Sequence, residues 1–483
     1  MPNLSLLDDA QLTVSNLAHS ATELVSPSLR IGVTGLSRAG KTVFLTSLIH
    51  ALMHAANLPA LHAQRSGRLI GARLTQQPDD GVARFAIEDH VDALINDRVW
   101  PRSTRQISQL RLTLRFEPQS GLSRVLGRST LHLDMVDYPG EWLLDLPLLD
   151  QSFAQFSAEA LVKARATGRE RLADPFLRVL NDIDVEAPLD DRIANALAEA
   201  YTEYLRACRA DETALSMLPP GRFLMPGDME GSPALTFAPL EPPEDGAHLF
   251  NETLYRAFER RFEAYKRLVI KPFYIDHFAR LDRQVVLVDT LAAINAGPEA
   301  MSDLQDALVA ILKCFKPGKR NLISNIFGPR IDRIAFAATK ADHLHHESHD
   351  RLEAILATLV GEATRKARFS GAQVQTLALA SVRATREAKA RKNGQMLKAV
   401  AGVPIAGETI NGEQFDGERE VAIFPGDLPA DPNALLRLGH DEQPLRFVRF
   451  RPPHLAAKNG EAPYLPHIRL DRLLEFLIGD KLN

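Results

Sequence analysis

Cysteine is scarce in this chain: among 483 residues there are two, Cys208 and Cys314. They stand far apart in helix-like stretches, which argues against a disulfide framework and fits a reducing cytoplasm. An excess of one charge is also lacking. Lys and Arg number 57 against 61 Asp and Glu, for a net charge of −4. The basic surplus that favours phosphate-backbone binding is absent, so a nucleic-acid partner is not expected. No apolar run approaches the roughly 20 residues of a spanning helix. The opening MPNLSLLDDAQLTVSNL has no basic start followed by an apolar block, so no secretory signal is expected. Peripheral membrane association through a partner stays compatible with these features. Internal repeats and long low-complexity tracts are missing too.

The bulk is that of an ordinary soluble globular protein, with 45% hydrophobic and 24% charged residues. The length exceeds one compact core and predicts two or three domains.

An apolar stripe of Val14, Leu17, Ala18, Ala21, Leu24 and Val25 predicts an amphipathic N-terminal helix over 8–25. Leu29–Thr34 reads as a buried strand and Val43–Ile49 as a helix, with a glycine loop between. Residues 56–104 read as a long connection with a helix near 82–97. Gln109–Phe116 and Ser129–Val136 alternate polar and apolar, which predicts an antiparallel edge hairpin. From 143 to 280, helical stretches at 151–181, 188–212 and 248–268 surround a Pro/Gly-rich interruption at 214–247. Apolar runs at Gln284–Asp289, Ile331–Ala338 and Gln375–Ala380 predict central parallel strands. Helices near 299–315 and 347–367 separate them. The tail offers strand-like pieces at 420–424 and 446–450, and a closing helix with Leu470, Leu473, Leu474 and Leu477 on one face. The expected fold is α/β with a mostly parallel sheet. Its parts are an N-terminal helix (1–28), a sheet domain (29–142 and 281–483) and an inserted helical domain (143–280).

The segment Gly35-Leu36-Ser37-Arg38-Ala39-Gly40-Lys41-Thr42 matches G-x-x-x-x-G-K-[ST]. Its glycines let successive N–H groups point into one concavity, and the next helix turns its positive end to the same phosphates. Lys41 can reach the β- and γ-phosphates and the Thr42 hydroxyl can ligate Mg²⁺. A glycine turn before a helix is the bland alternative. The hydrophobic strand before the loop and apolar helix after it favour phosphate binding by residues 37–43, Ser37, Arg38, Ala39, Gly40, Lys41, Thr42 and Val43.

A P-loop needs an acidic residue at the end of a second buried strand. Asp137-Tyr138-Pro139-Gly140-Glu141 follows such a strand and resembles the D-x-x-G element of GTPases. The resemblance gives Asp137 to the Mg²⁺ shell and the Gly140 N–H to the γ-phosphate. Many GTPases carry Gln where this chain has Glu141, so slow intrinsic hydrolysis, or a water positioned by another group, is expected. In Trp100-Pro101-Arg102-Ser103-Thr104-Arg105, Thr104 is the candidate that closes over Mg²⁺, with Ser103 beside it and Trp100 able to stack on the nucleotide. Arg102 or Arg105 could place positive charge on the transferring phosphoryl group, and Arg38 competes for that role.

Thr339-Lys340-Ala341-Asp342 ends the next parallel strand and resembles the N/T-K-x-D element. In that family the carboxylate accepts from guanine N1–H and the 2-amino group, donors that adenine lacks. Ser381 and Val382 resemble the S-A-x element, whose N–H groups meet the guanine oxygen. His343 can line the nucleotide's edge.

Other signals are weaker. His345 and His349 have i,i+4 spacing, yet zinc usually needs further arranged ligands, so a solvated helix start is the better reading. Tyr255, Phe258, Phe262 and Tyr265 recur at helical spacing and read as a buried face. Asp289 reads as a strand-end residue near the phosphate loop.

Taken together, G-L-S-R-A-G-K-T, D-Y-P-G-E-W, T-K-A-D and A-S-V-R-A-T resemble the YcjX-like family of bacterial stress-associated P-loop proteins. The resemblance spans nearly the whole chain. It implies a GTPase core with a large helical insertion, bacterial origin and regulatory work. The expected function is Mg²⁺-dependent GTP binding with slow hydrolysis to GDP, answering to a protein effector or activator. A P-loop ATPase, chaperone-like or motor, is one alternative. A nucleotide-binding scaffold without useful turnover is another.

Overall fold

Leu29, Ile31 and Val33 alternate into the core along β1 (Ser28–Gly35), which lies in the middle of a mixed sheet. The structure is a computed structural model. It describes residues 27–35, 39–54, 58–102, 106–119, 129–166, 168–210, 218–243, 253–313, 331–392, 395–410, 412–437, 445, 448–455 and 463–483. The expected helix at 8–25 lies outside these residues.

The other strands of the sheet are β2 (Leu69–Thr75), β3 (Ala83–Arg84), β4 (Ser108–Phe116), β5 (Thr130–Asp137), β6 (Arg283–Val288), β7 (Arg333–Ala338) and β8 (Gln373–Ala378). Their order is β2-β4-β5-β1-β6-β7-β8, with β3 beside β4. β1 runs parallel to β5 and β6, and β7 and β8 continue parallel. β4 is antiparallel to β5, and β2 to β4. The expected hairpin therefore forms, but it is not the edge: β2 lies outside β4. β2 is only half-buried over most of its length, so its sequence lacks the apolar signature of a core strand and reads as connection. The helix expected at 82–97 is Ile87–Ile95.

One face of the sheet packs Val33, Leu133, Leu287 and Ala337 against the helix Lys41–Met53 and the closing helix Leu470–Ile478. The opposite face packs Val136, Val286, Val288, Phe336 and Ala338 against the chain between β5 and β6. That chain is helical at Phe153–Ala164, Glu170–Asn181, Asp191–Ala210, Leu254–Tyr265 and Lys271–Asp276. The stretch expected as one helix at 151–181 breaks near Gly168, whose φ of +84° only glycine adopts readily. Tyr255, Phe258, Phe262 and Tyr265 are buried. The interruption at 214–247 holds short 3₁₀ turns at Gly221–Phe223, Gly227–Met229 and Pro233–Leu235.

Beyond β8 come β9 (Arg386–Lys392) and β10 (Gln395–Gly402), an antiparallel pair with little sequence signal. β11 (Thr409–Ile410) pairs β12 (Glu413–Gln414), and β13 (Val421–Ile423) pairs β10. The piece expected at 446–450 contributes a bridge from Phe450 to Pro404, residues 446 and 447 lying outside the described chain. The helix expected at 347–367 is two, His349–Leu359 and Gly361–Phe369. Among the described residues no helix is long and apolar enough to cross a membrane. Cys208 is buried, and Cys314 lies outside the described residues.

Candidate functional site

In open α/β sheets, ligands collect beyond the carboxyl ends of parallel strands. β1 ends at Gly35, β5 at Asp137, β6 beside Asp289 and β7 at Ala338, so Gly35, Asp137 and Thr339 stand at that edge.

After Gly35 the chain turns into Lys41–Met53 through Gly40, whose φ is +82°. Leu36, Ser37 and Arg38 lie outside the described residues. Ala39 is packed into the core. Lys41 donates from Nζ to the Gly35 carbonyl over 3.1 Å. Burial pushes the Lys41 ammonium's pKa down, Asp137 and Glu141 pull it up, and Arg209 pushes it down. The charges of two carboxylates and one guanidinium thus act on the loop lysine. Thr42 is buried one residue on.

Asp137 is buried at the end of β5, in register with Val33 of β1. Gly140 is pressed onto the loop: a β-carbon there would meet the Gly35 carbonyl oxygen at 2.1 Å. Glu141 is 3% exposed, and its Oε1 lies 3.0 Å from Nη2 of Arg209. No pattern in the sequence singled out Arg209, an arginine at the end of an amphipathic helix. The Asp137 carboxylate and Thr42 hydroxyl are buried, hard oxygen donors at one strand edge, the donor set that Mg²⁺ prefers.

The second half of the site lies at β7 and β8. Lys340 adopts φ +61° and its Nζ pairs with the Asp289 carboxylate. Asp289 also caps the next helix by accepting from Ala292 N at 3.2 Å. Asp342 is buried, and its Oδ2 accepts from Ala384 N over 2.9 Å. His343 is buried edge-on to Phe450, 5.4 Å between centroids. Burial pushes its pKa down, so the ring is neutral near pH 7. Ser381 accepts at its carbonyl from Ser47 Oγ, which ties this loop to the helix that follows the phosphate loop. Val382 packs with Leu94 and Leu465, and Val43 and Trp100 lie against the same cluster.

Trp100 is therefore near the Val382 loop, and its indole N–H is held by the Phe450 carbonyl at 2.6 Å. Arg102 is exposed. Ser103, Thr104 and Arg105 lie outside the described residues. His349 is not paired with His345 as a ligand: its buried Nε2 donates to the Ala341 carbonyl at 2.8 Å. His345 instead lies near His346 and Glu347.

A mostly parallel sheet with a strand–glycine loop–helix at its centre defines an α/β protein of the P-loop class. More narrowly, the chain belongs to the YcjX-like family (DUF463), which it matches over residues 29–482. It is 38% identical over 471 residues to "Ras-like GTPase YcjX" of Escherichia coli strain K12, covering 95% of this chain and 97% of the relative. The protein of the same name from Shewanella oneidensis strain MR-1 is 34% identical over 476 residues, covering 94% and 95%. Among solved structures, a signal recognition particle receptor SRb-GTP/SRX complex from Chaetomium thermophilum aligns at 13% identity. That alignment covers 73% of this chain and 93% of the other, with a TM-score of 0.26.

Proposed function

We propose that this chain binds GTP with Mg²⁺ and hydrolyses it slowly to GDP, as a nucleotide-controlled regulatory switch. The observation that carries the reading is the pairing of two sites at one sheet edge. Lys41, Asp137 and Gly140 converge beside β1, while Asp342 stands buried beyond β7. The naming of two full-length relatives as Ras-like GTPases supports it.

The roles follow from chemistry. The N–H groups of residues 37–43 and the Lys41 ammonium hold the phosphates. Thr42 and Asp137 hold Mg²⁺, with Thr104 as the further ligand; the ion would neutralise charge on the β- and γ-phosphates. Asp342 accepts from the guanine N1–H and 2-amino group, Lys340 covers the base, and Ser381 and Val382 present N–H groups to its oxygen. Residues near 100–105 and 137–145 change shape with the γ-phosphate, and the helical module 143–280 reads that change. A bacterial, cytoplasmic, stress-associated role answering to a protein effector rests on the family resemblance alone.

Titration of labelled GTP and ATP against the wild type and Asp342→Asn tests the assignment. GTP should be preferred by the wild type, and the preference should collapse in the variant. Equal wild-type affinity for both nucleotides sinks it.

A further inference from the structure

The chain between β5 and β6 reaches the phosphate side of the sheet through Arg209. This residue stands in the last turn of Asp191–Ala210, and its guanidinium lies 3.0 Å from the Glu141 carboxylate. Glu141 follows directly on Gly140, which touches both Gly35 and Lys41. Arg209 is also near enough for its charge to act on the Lys41 ammonium. The helical segment thus supplies a cation whose charge reaches the P-loop lysine.

The contact is braced on several sides. A β-carbon on Gly221 would stand 1.9 Å from the Glu141 carbonyl oxygen. Asp145 accepts from Gly221 N at 2.7 Å, Arg222 N at 3.2 Å and the Tyr265 hydroxyl at 2.7 Å. The Arg222 guanidinium lies 3.2 Å over the Trp142 ring. Trp142 donates its indole N–H to the Met225 carbonyl at 3.0 Å. Residues 141–145 are therefore gripped by the helical segment.

A buried carboxylate beside a triphosphate is repelled unless a cation neutralises it. A guanidinium carries five donors in a planar fork and can serve an anion on each side. We propose that Arg209 is a positioning residue for GTP hydrolysis: it neutralises and orients Glu141 beside the γ-phosphate, so the helical segment governs turnover in cis. This rests on the GTP reading above. In the step it serves, Glu141 accepts a hydrogen bond from the attacking water. The water oxygen bonds to the γ-phosphorus as the bond from that phosphorus to the β–γ bridging oxygen breaks. GDP keeps the electron pair, and both water hydrogens leave with the phosphate as dihydrogen phosphate.

The test is single-turnover hydrolysis of γ-labelled GTP by the full chain, with GTP and GDP affinities and thermal melts measured alongside. The set is wild type, Arg209→Ala, Arg209→Lys, Glu141→Gln, the Arg209→Ala/Glu141→Gln double variant, and Lys41→Ala. Arg209→Ala should lower the rate at saturating GTP by about 10- to 1,000-fold, with affinities within ~3-fold of wild type. Added guanidinium should restore part of the rate. The double variant should be no slower than Glu141→Gln, since both changes remove one unit. Should Arg209→Ala not fold, Arg209→Lys carries the comparison, its rate reduced because a lysine lacks the planar fork. Wild-type rates in the arginine variants, losses that multiply in the double variant, or a fall in affinity, rate and melting temperature together without guanidinium rescue would each overturn the proposal. If the wild type shows no Lys41-dependent hydrolysis, the turnover reading falls with it. Failure of the Arg209 variants alone leaves GTP binding and hydrolysis standing.

Discussion

Gly140 and Gly35 are in backbone contact: a β-carbon on Gly140 would stand 2.1 Å from the Gly35 carbonyl oxygen and 2.8 Å from Lys41 Nζ. The turn after Asp137 and the end of β1 therefore meet without an intervening side chain. Gly140→Ala must force them apart. Overpacking of this kind costs about 1–3 kcal/mol, read as a lower midpoint in urea unfolding. GTP hydrolysis should fall at least ~10-fold, measured as phosphate release, because the Gly140 N–H is displaced from the γ-phosphate. An alanine variant with wild-type stability and turnover would contradict the closeness of this contact.

Lys41→Ala removes the ammonium that now rests on the Gly35 carbonyl. A charge-assisted contact to phosphate contributes about 1.5–3 kcal/mol. Affinity for GTP should drop roughly 10- to 100-fold in a fluorescent-nucleotide titration. GDP, lacking the γ-phosphate, should lose less.

Asp342→Asn tests the base. The amide can still accept one hydrogen bond but presents a donor where guanine presents donors. GTP affinity should fall by about 10²-fold or more, since a site built around a polar pair rejects a mismatch strongly. Xanthosine triphosphate, which carries a carbonyl in place of the 2-amino group, should gain over GTP in the same assay. Unchanged selectivity would remove Asp342 from the base site.

Asp145 makes stability depend on pH. Burial pushes its carboxyl up to about 6, against the pull of the Tyr265 hydroxyl and the Gly221 and Arg222 N–H groups. The folded form therefore holds the proton more tightly than the unfolded form. Its contribution to stability falls as pH rises from about 4 to about 6 and is level above that, by on the order of 2–3 kcal/mol. Urea unfolding of wild type and Asp145→Asn across pH 4–8 isolates it. The difference between the two should change over that window and not above pH 7.

Much of this was legible in the chain itself. The P-loop, the Asp137 turn and Thr339–Asp342 announce themselves because each packs several chemical constraints into a few consecutive residues at a strand end. The central strands are legible because burial on both faces makes them continuously apolar. β2 is hidden for the converse reason, its residues being half-exposed and short of an apolar run. Arg209, Gly221 and Tyr265 are hidden differently. They act on Glu141 and Asp145 from 68 to 120 positions away, and only folding brings them together. Trp100 lies beside Val43 and Val382, and the Phe450 carbonyl that holds its indole N–H has no local signature.

The path of the chain from β5 to β6 has a mechanical consequence. It leaves the sheet at the phosphate end of β5, re-enters at the far end of β6, and β1 lies between the two. Six to eight residues of strand, at ~3.3 Å each, set those anchor points about 20–25 Å apart along the sheet. The helices are therefore a strut across the sheet rather than an appendage on one loop. A load on them would act on both neighbours of β1 at once, and β1 is the strand that ends at Gly35.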